Sequence, residues 1–197
     1  DINNKKEYSW TKQGRLKEIN WDKKNLSGKI DISKFKELKY FSCNKNKVTD
    51  LKFNTKLYYL QCENNNLTYL DTSKCDLGLG LHCSNNKLKI LKIKKGSSMR
   101  DLDCSNNELT NINISGINGL QAIYLQHNQI KEVSFKDVSM DELDSIYCDE
   151  SVKLKDVRKD VKTYLIYNLE GVVNYGVNKR GLKANIGINL DSESCPT

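Results

Sequence analysis

The chain has 197 residues, and 32 Lys and Arg against 25 Asp and Glu give it a net charge of +7. Hydrophobic residues make up only 38% and the mean hydropathy is −0.66, too little for a thick globule and suited to a thin body with a large surface. No apolar run approaches the roughly 20 residues of a membrane span, and the first ten residues lack the apolar stretch of a signal peptide.

In chain order, residues 1–13 carry no recurring pattern and are expected to be an N-terminal cap. From Gly14 a single phrase repeats to Ser151, clearest in "LHCSNNKLKILKI" (81–93) and "LDCSNNELTNINI" (102–114). Its first apolar column is Ile19, Phe41, Leu60, Leu81, Leu102, Ile123 and Ile146. Two residues on stand Trp21, Cys43, Cys62, Cys83, Cys104, Leu125 and Cys148, spaced 22, 19, 21, 21, 21 and 23 residues apart. Three further on come Lys24, Asn46, Asn65, Asn86, Asn107, Asn128 and Ser151. Self-similarity at a fixed period of this length is the signature of a solenoid.

Each unit holds two stretches of period-two alternation. One ends at the cysteine, and the other follows the asparagine, as in Leu51/Phe53, Leu91/Ile93 and Val133/Phe135. No helical periodicity separates them. The expected coil is therefore a strand, a turn and a short extended segment on the opposite side, with stacked coils burying both apolar columns. At the turn, buried backbone donors and acceptors have no strand partner. A carboxamide can serve both, so the asparagines are expected to form a ladder between coils. Its gaps, Lys24 and Ser151, fall in the terminal copies. The unit around Asn54-Thr55 is two residues short, and Gly78 replaces a leading leucine that Leu77 and Leu79 flank.

The cysteine column also accepts Trp21 and Leu125, which marks it as an apolar slot of reduced thiols. Ligands in a line cannot converge tetrahedrally on zinc, so no metal and no cofactor are expected. Cys75 occupies a loop slot filled elsewhere by Phe35 and Ile117, and is expected to be buried. Cys195 has no place in the pattern. Buried thiols are inert to oxidant, so the cysteine count leaves a surface location open.

The "LxxLxCSNNxLxxLxIS" unit resembles the cysteine-bearing leucine-rich repeats of bacterial surface proteins, particularly the internalin-J-like group of Gram-positive bacteria, over residues 14–151. The resemblance implies a horseshoe solenoid of about seven coils. Its parallel β-sheet would line the concave face and short extended segments the convex side, with a β-rich or irregular cap, or the start of an attachment segment, at 152–197. It also implies a secreted or surface-attached recognition module, with host adhesion as a plausible role. A scaffold or regulatory unit of a larger intracellular protein is the alternative.

The residues beside the apolar strand positions should face the concave surface. Ten of them are the candidate ligand-binding set: Tyr40, Tyr59, Gln61, His82, Asp101, Asp103, Tyr124, Gln126, Tyr147 and Asp149. Tyrosines there give rigid amphipathic contacts of the kind favoured at binding hot spots. Lysines are rare on the face, with Lys23 and Lys45 at its edge, and most sit on loops and the far side, so the positive charge does not form a nucleic-acid groove. Neither His82 nor His127 has a partner at metal-ligand spacing. Asp101 and Asp103 share a strand face without a nucleophile or phosphate loop nearby, so no enzyme is expected. The sequons at Asn25, Asn66 and Asn113 coincide with repeat positions explained by packing. The expected partner is a protein or surface glycan, bound by a monomer that does not insert into membranes.

Overall fold

The computed structural model describes residues 4–169 and 172–177. Strand β1 (Tyr8–Trp10) leads into β2 (Leu16–Asn20), and β4 (Tyr40–Ser42), β6 (Tyr59–Gln61), β8 (Gly80–His82), β10 (Asp101–Asp103), β11 (Ala122–Tyr124) and β13 (Ser145–Asp149) follow at the repeat spacing. With β15 (Lys162–Leu169) and β16 (Val172–Val177) they form one ten-stranded sheet in the order β1-β2-β4-β6-β8-β10-β11-β13-β15-β16. All neighbours from β2 to β15 pair in parallel, and β1 and β16 close the two ends antiparallel. The first apolar column stacks in strict register, Ile19 on Phe41 and so on to Ile146.

The second stretch of each coil returns on the opposite side. There β3 (Ser27–Asp31) pairs with β5 (Lys47–Lys52), β7 (Tyr69–Thr72) with β9 (Ile90–Ile93), and β12 (Glu132–Ser134) with β14 (Lys153–Lys155), all in parallel. No strand forms at 111–114, and no helix occurs among the described residues. This is a leucine-rich-repeat β-solenoid of about seven coils, as the repeat implied. One continuous core fills it, led by Phe41, Leu60, Leu81, Leu102, Leu125 and Phe135, each at most 1% exposed.

The thiols of Cys43, Cys62, Cys83, Cys104 and Cys148 are all free and buried in that core, beside buried Leu125. Burial raises every one of them, Cys43 and Cys148 to about 12. Trp21 opens the column, packing edge-on against Phe41 at 5.8 Å and donating its indole N–H to the Tyr8 hydroxyl. Cys75 is buried as expected, and its thiol donates to the Asn54 carbonyl. Phe35, in the equivalent slot, is 39% exposed and lines an open cavity with Arg15, Leu16 and Lys34. Cys195 lies outside the described residues.

The asparagine ladder is complete from Asn46 to Asn128. Asn107 is representative: its amide donates to the carbonyls of Cys83, Cys104 and Ser105, and its oxygen accepts the Leu88 N–H at 2.9 Å. Asn65, Asn86 and Asn128 repeat this set one coil at a time. At the first gap, the Asn46 oxygen accepts both Lys24 and Leu26 N–H, and the Lys24 ammonium turns out to Glu7 at 2.6 Å. The shortened unit is held by Asn54, whose amide donates to Phe35 and Leu38 carbonyls and whose oxygen accepts Lys56 N–H. Leu77, beside Gly78, is fully buried, whereas Leu79 is half-buried.

Candidate functional site

Side chains on the open face of the long sheet come from alternation alone. Each strand turns its middle residue into the core and its two flanking residues outward. The parallel register then sets like positions side by side: Tyr40, Tyr59, Gly80, Asp101, Ala122 and Ser145 form one row, and Ser42, Gln61, His82, Asp103, Tyr124 and Tyr147 another. All ten candidate residues lie half-buried on this face.

The structure draws six of them into one cluster and separates the rest. Tyr124 and Tyr147 stack face to face, 4.5 Å apart and 9° from parallel. Tyr59 meets His82 edge-on at 5.3 Å, with its hydroxyl 3.4 Å from Nδ1. Asp101 and Asp103 lie between these aromatic pairs. Burial, then Glu63 and Asp101, raises the Tyr59 hydroxyl. Burial, then Tyr147, Asp101 and Asp103, raises that of Tyr124. The Asp103 carboxylate accepts the backbone N–H and hydroxyl of Ser105, whereas the Asp101 carboxylate has no hydrogen bond or ion pair among the described residues.

Tyr40 turns away from the cluster, packing edge-on with Tyr58 at 6.2 Å and lying beneath the Lys17 ammonium at 5.6 Å. Gln61 sits in register between Ser42 and His82. The Gln126 side-chain oxygen is buried without a partner. Asp149 closes the ladder: its carboxylate accepts the N–H groups of His127 at 3.0 Å and Asn128 at 3.4 Å. His127 itself belongs to a turn, with φ of 57°, and not to the sheet face. Among the described residues, no group of three or more His, Cys, Asp or Glu is placed to hold a metal ion.

Two contacts escaped the sequence reading. Gly80 occupies the row between Tyr59 and Asp101, and a β-carbon there would stand 2.9 Å from the Asp101 carbonyl oxygen and 3.5 Å from the Tyr59 ring. Gly78 gives way to the ring of Tyr58, which a β-carbon would meet at 2.4 Å. The doubled glycine of "GLGL" and the doubled tyrosine of "LYYL" were the available signals.

Fold and site together define a leucine-rich-repeat domain with an aromatic and acidic sheet face. No family model matches the chain, and no curated protein matches it. Among solved structures it is similar to the functional domain of InlJ from Listeria monocytogenes, described as including a cysteine ladder, with 21% identity and a TM-score of 0.37. That match covers 72% of this chain and 41% of the other, so the chain spans less than half of that domain's length. No helix among the described residues is long and apolar enough to cross a membrane.

Proposed function

We propose that the chain is a non-catalytic recognition module that binds a protein or glycan ligand on the open face of its long sheet. One observation carries this reading: six outward side chains from five consecutive strands, β6 to β13, converge in a single half-buried aromatic and acidic cluster. The stacking of Tyr124 on Tyr147 gives that cluster a rigid aromatic centre. Rigid tyrosines on a sheet with eight parallel strands offer a footprint of roughly 30 Å, suited to a folded partner. A secreted or surface-attached setting, with a role in adhesion, follows from the likeness of the repeat unit to bacterial surface repeats.

A peptide-display library and a glycan array, each probed with the immobilised chain, test the proposal. Ligands recovered on the wild type should lose at least tenfold in affinity on a Tyr124→Ala/Tyr147→Ala variant whose far-ultraviolet circular dichroism and melting temperature are retained. Ligands that bind both proteins equally would place recognition on another surface.

A further inference from the structure

The connection from β10 to β11 holds the one asparagine–glycine pair in the sequence, Asn118-Gly119. Many asparagines of this chain have work for their side chains. The ladder rungs are tied at both ends of the carboxamide, and Asn113 holds its own turn through the Ser115 N–H. Asn118 contributes only its backbone, donating its N–H to the Ser97 carbonyl at 2.7 Å. Its side chain is exposed and has no hydrogen bond among the described residues. The N–H of Gly119 has none there either, and sits in a bend with φ of 81°.

We propose that Asn118 is a site of spontaneous covalent modification, converting to aspartate and isoaspartate through a cyclic imide. Base removes the Gly119 amide proton, and the nitrogen attacks Asn118 Cγ. The bond from Cγ to the side-chain nitrogen breaks, and that nitrogen takes up a proton from solvent and leaves as ammonia. Water then opens the imide. Attack at the Cγ carbonyl yields aspartate, and attack at the backbone carbonyl yields isoaspartate, with the main chain routed through the former side chain. Nothing is oxidised or reduced, and solvent water and hydroxide are the sole co-reactants.

Three conditions for that reaction meet here: an exposed electrophile, an unbonded attacking N–H, and a clear path between them. Asn25 and Asn111 are exposed as well, but Leu26 and Ile112 follow them, and a side chain on the attacking residue crowds the approach. Glycine has none. The product matters to the fold. Ile117 and Leu120, on either side of the pair, are both 0% exposed in the core. Isoaspartate lengthens the backbone between these anchors by one carbon, about 1.5 Å. A close-packed interior cannot absorb that without shifting one anchor. Leu120 leads directly into β11 (Ala122–Tyr124), so ageing loosens the coil that carries one ring of the Tyr124–Tyr147 stack.

The test is incubation of the full chain at pH 8 and 37 °C, followed by digestion and mass spectrometry, with isoaspartate assigned by electron-transfer fragmentation. Asn118 should convert at least tenfold faster than Asn25 and Asn111 and give both products, and its rate should rise with pH. Asn118→Gln keeps a carboxamide and leaves the backbone alone, and position 118 should then stay unmodified. Conversion at equal rates at all three asparagines, or at Asn118 only in urea, would overturn the site. Aspartate without isoaspartate would overturn the imide route. Aged wild type should melt below fresh protein, whereas aged Asn118→Gln should melt as it did when fresh. An unchanged melting temperature with isoaspartate in place would overturn the loosening.

Discussion

The two asparagines of each "NN" pair have unrelated roles. The second is the ladder rung. The first, as in Asn64, Asn85 and Asn106, takes φ of 52–55°, a left-handed conformation that asparagine tolerates better than most residues, and Lys23, Lys45 and His127 hold the same position in other coils. Asn107→Ala should destabilise the chain by at least about 3 kcal/mol, because a donor and three acceptors lose their partner at roughly 1–3 kcal/mol each. Asn106→Gly should stay within about 1 kcal/mol of wild type, since glycine adopts that φ without strain. Urea denaturation of the two variants checks both. The buried thiols make a second prediction. Burial raises them above their unfolded value near 9, so the stability they contribute is complete below pH 9. It falls away as pH climbs towards 12, where Cys43 and Cys148 ionise in the folded state. Denaturation midpoints measured from pH 8 to 11 should decline, and less steeply in a Cys43→Val variant. Ellman's reagent should leave the ladder thiols untouched until the chain unfolds.

At the scale of the element, a strand residue is decided by what its row neighbours are. Gly80→Ala places a methyl group 2.9 Å from a backbone oxygen of β10, so the strands themselves must move, and a loss of about 1–3 kcal/mol is expected. Gly78→Ala presses on the end of the Tyr58 ring, which is 40% exposed and can swing aside, so the change should cost less than about 1 kcal/mol. Thermal melts of both variants compare the two. On the opposite side of each coil, cross-strand pairs such as Asp31–Lys52 at 3.2 Å and Lys155–Glu132 at 2.6 Å are largely solvated and contribute little apiece. They do show where much of the positive charge is matched. The columns of Leu, Cys and Asn were legible in the sequence because each repeats at a near-constant interval and needs one chemistry. Gly80, Tyr58 and Asn54 were not, since each answers a contact made once, between two particular coils. Past Ser151 the pattern was also lost. There Cys148 pairs with Leu165, only 17 residues on, and Thr163 takes the place of the apolar residue before it, yet β15 still joins the sheet in register. Pairing by backbone survived where the side-chain signal did not.

For the whole molecule, stability is a sum over coils and the contacts between neighbours, so the ends should open first. Amide hydrogen exchange should be slowest on β6, β8 and β10, and at least tenfold faster on β1 and on the β15–β16 hairpin. A uniform rate across the sheet would mean that the chain opens as one unit instead. The candidate site straddles the interior coils, where neighbours on both sides hold its rows in place. Its six clustered residues could be placed on one face from the sequence. Their convergence could not, because it depends on ring orientations and on the small residues that separate them.

The direction of the asparagine rungs gives the chain a polarity of assembly. Each carboxamide reaches back, so a coil's turn is satisfied by the coil synthesised after it, as Val48 N–H and the Cys43 carbonyl are by Asn65. On the ribosome, every turn must therefore wait about twenty residues before its last bonds can close. A chain shortened from its C-terminal side keeps a raw turn with orphaned amides, which Asp149 now closes, whereas one shortened from the other side strands mainly acceptors, such as the Asn65 oxygen and the Gln61 and Glu63 carbonyls, which water can meet. The protein should tolerate loss of its beginning better than loss of its end.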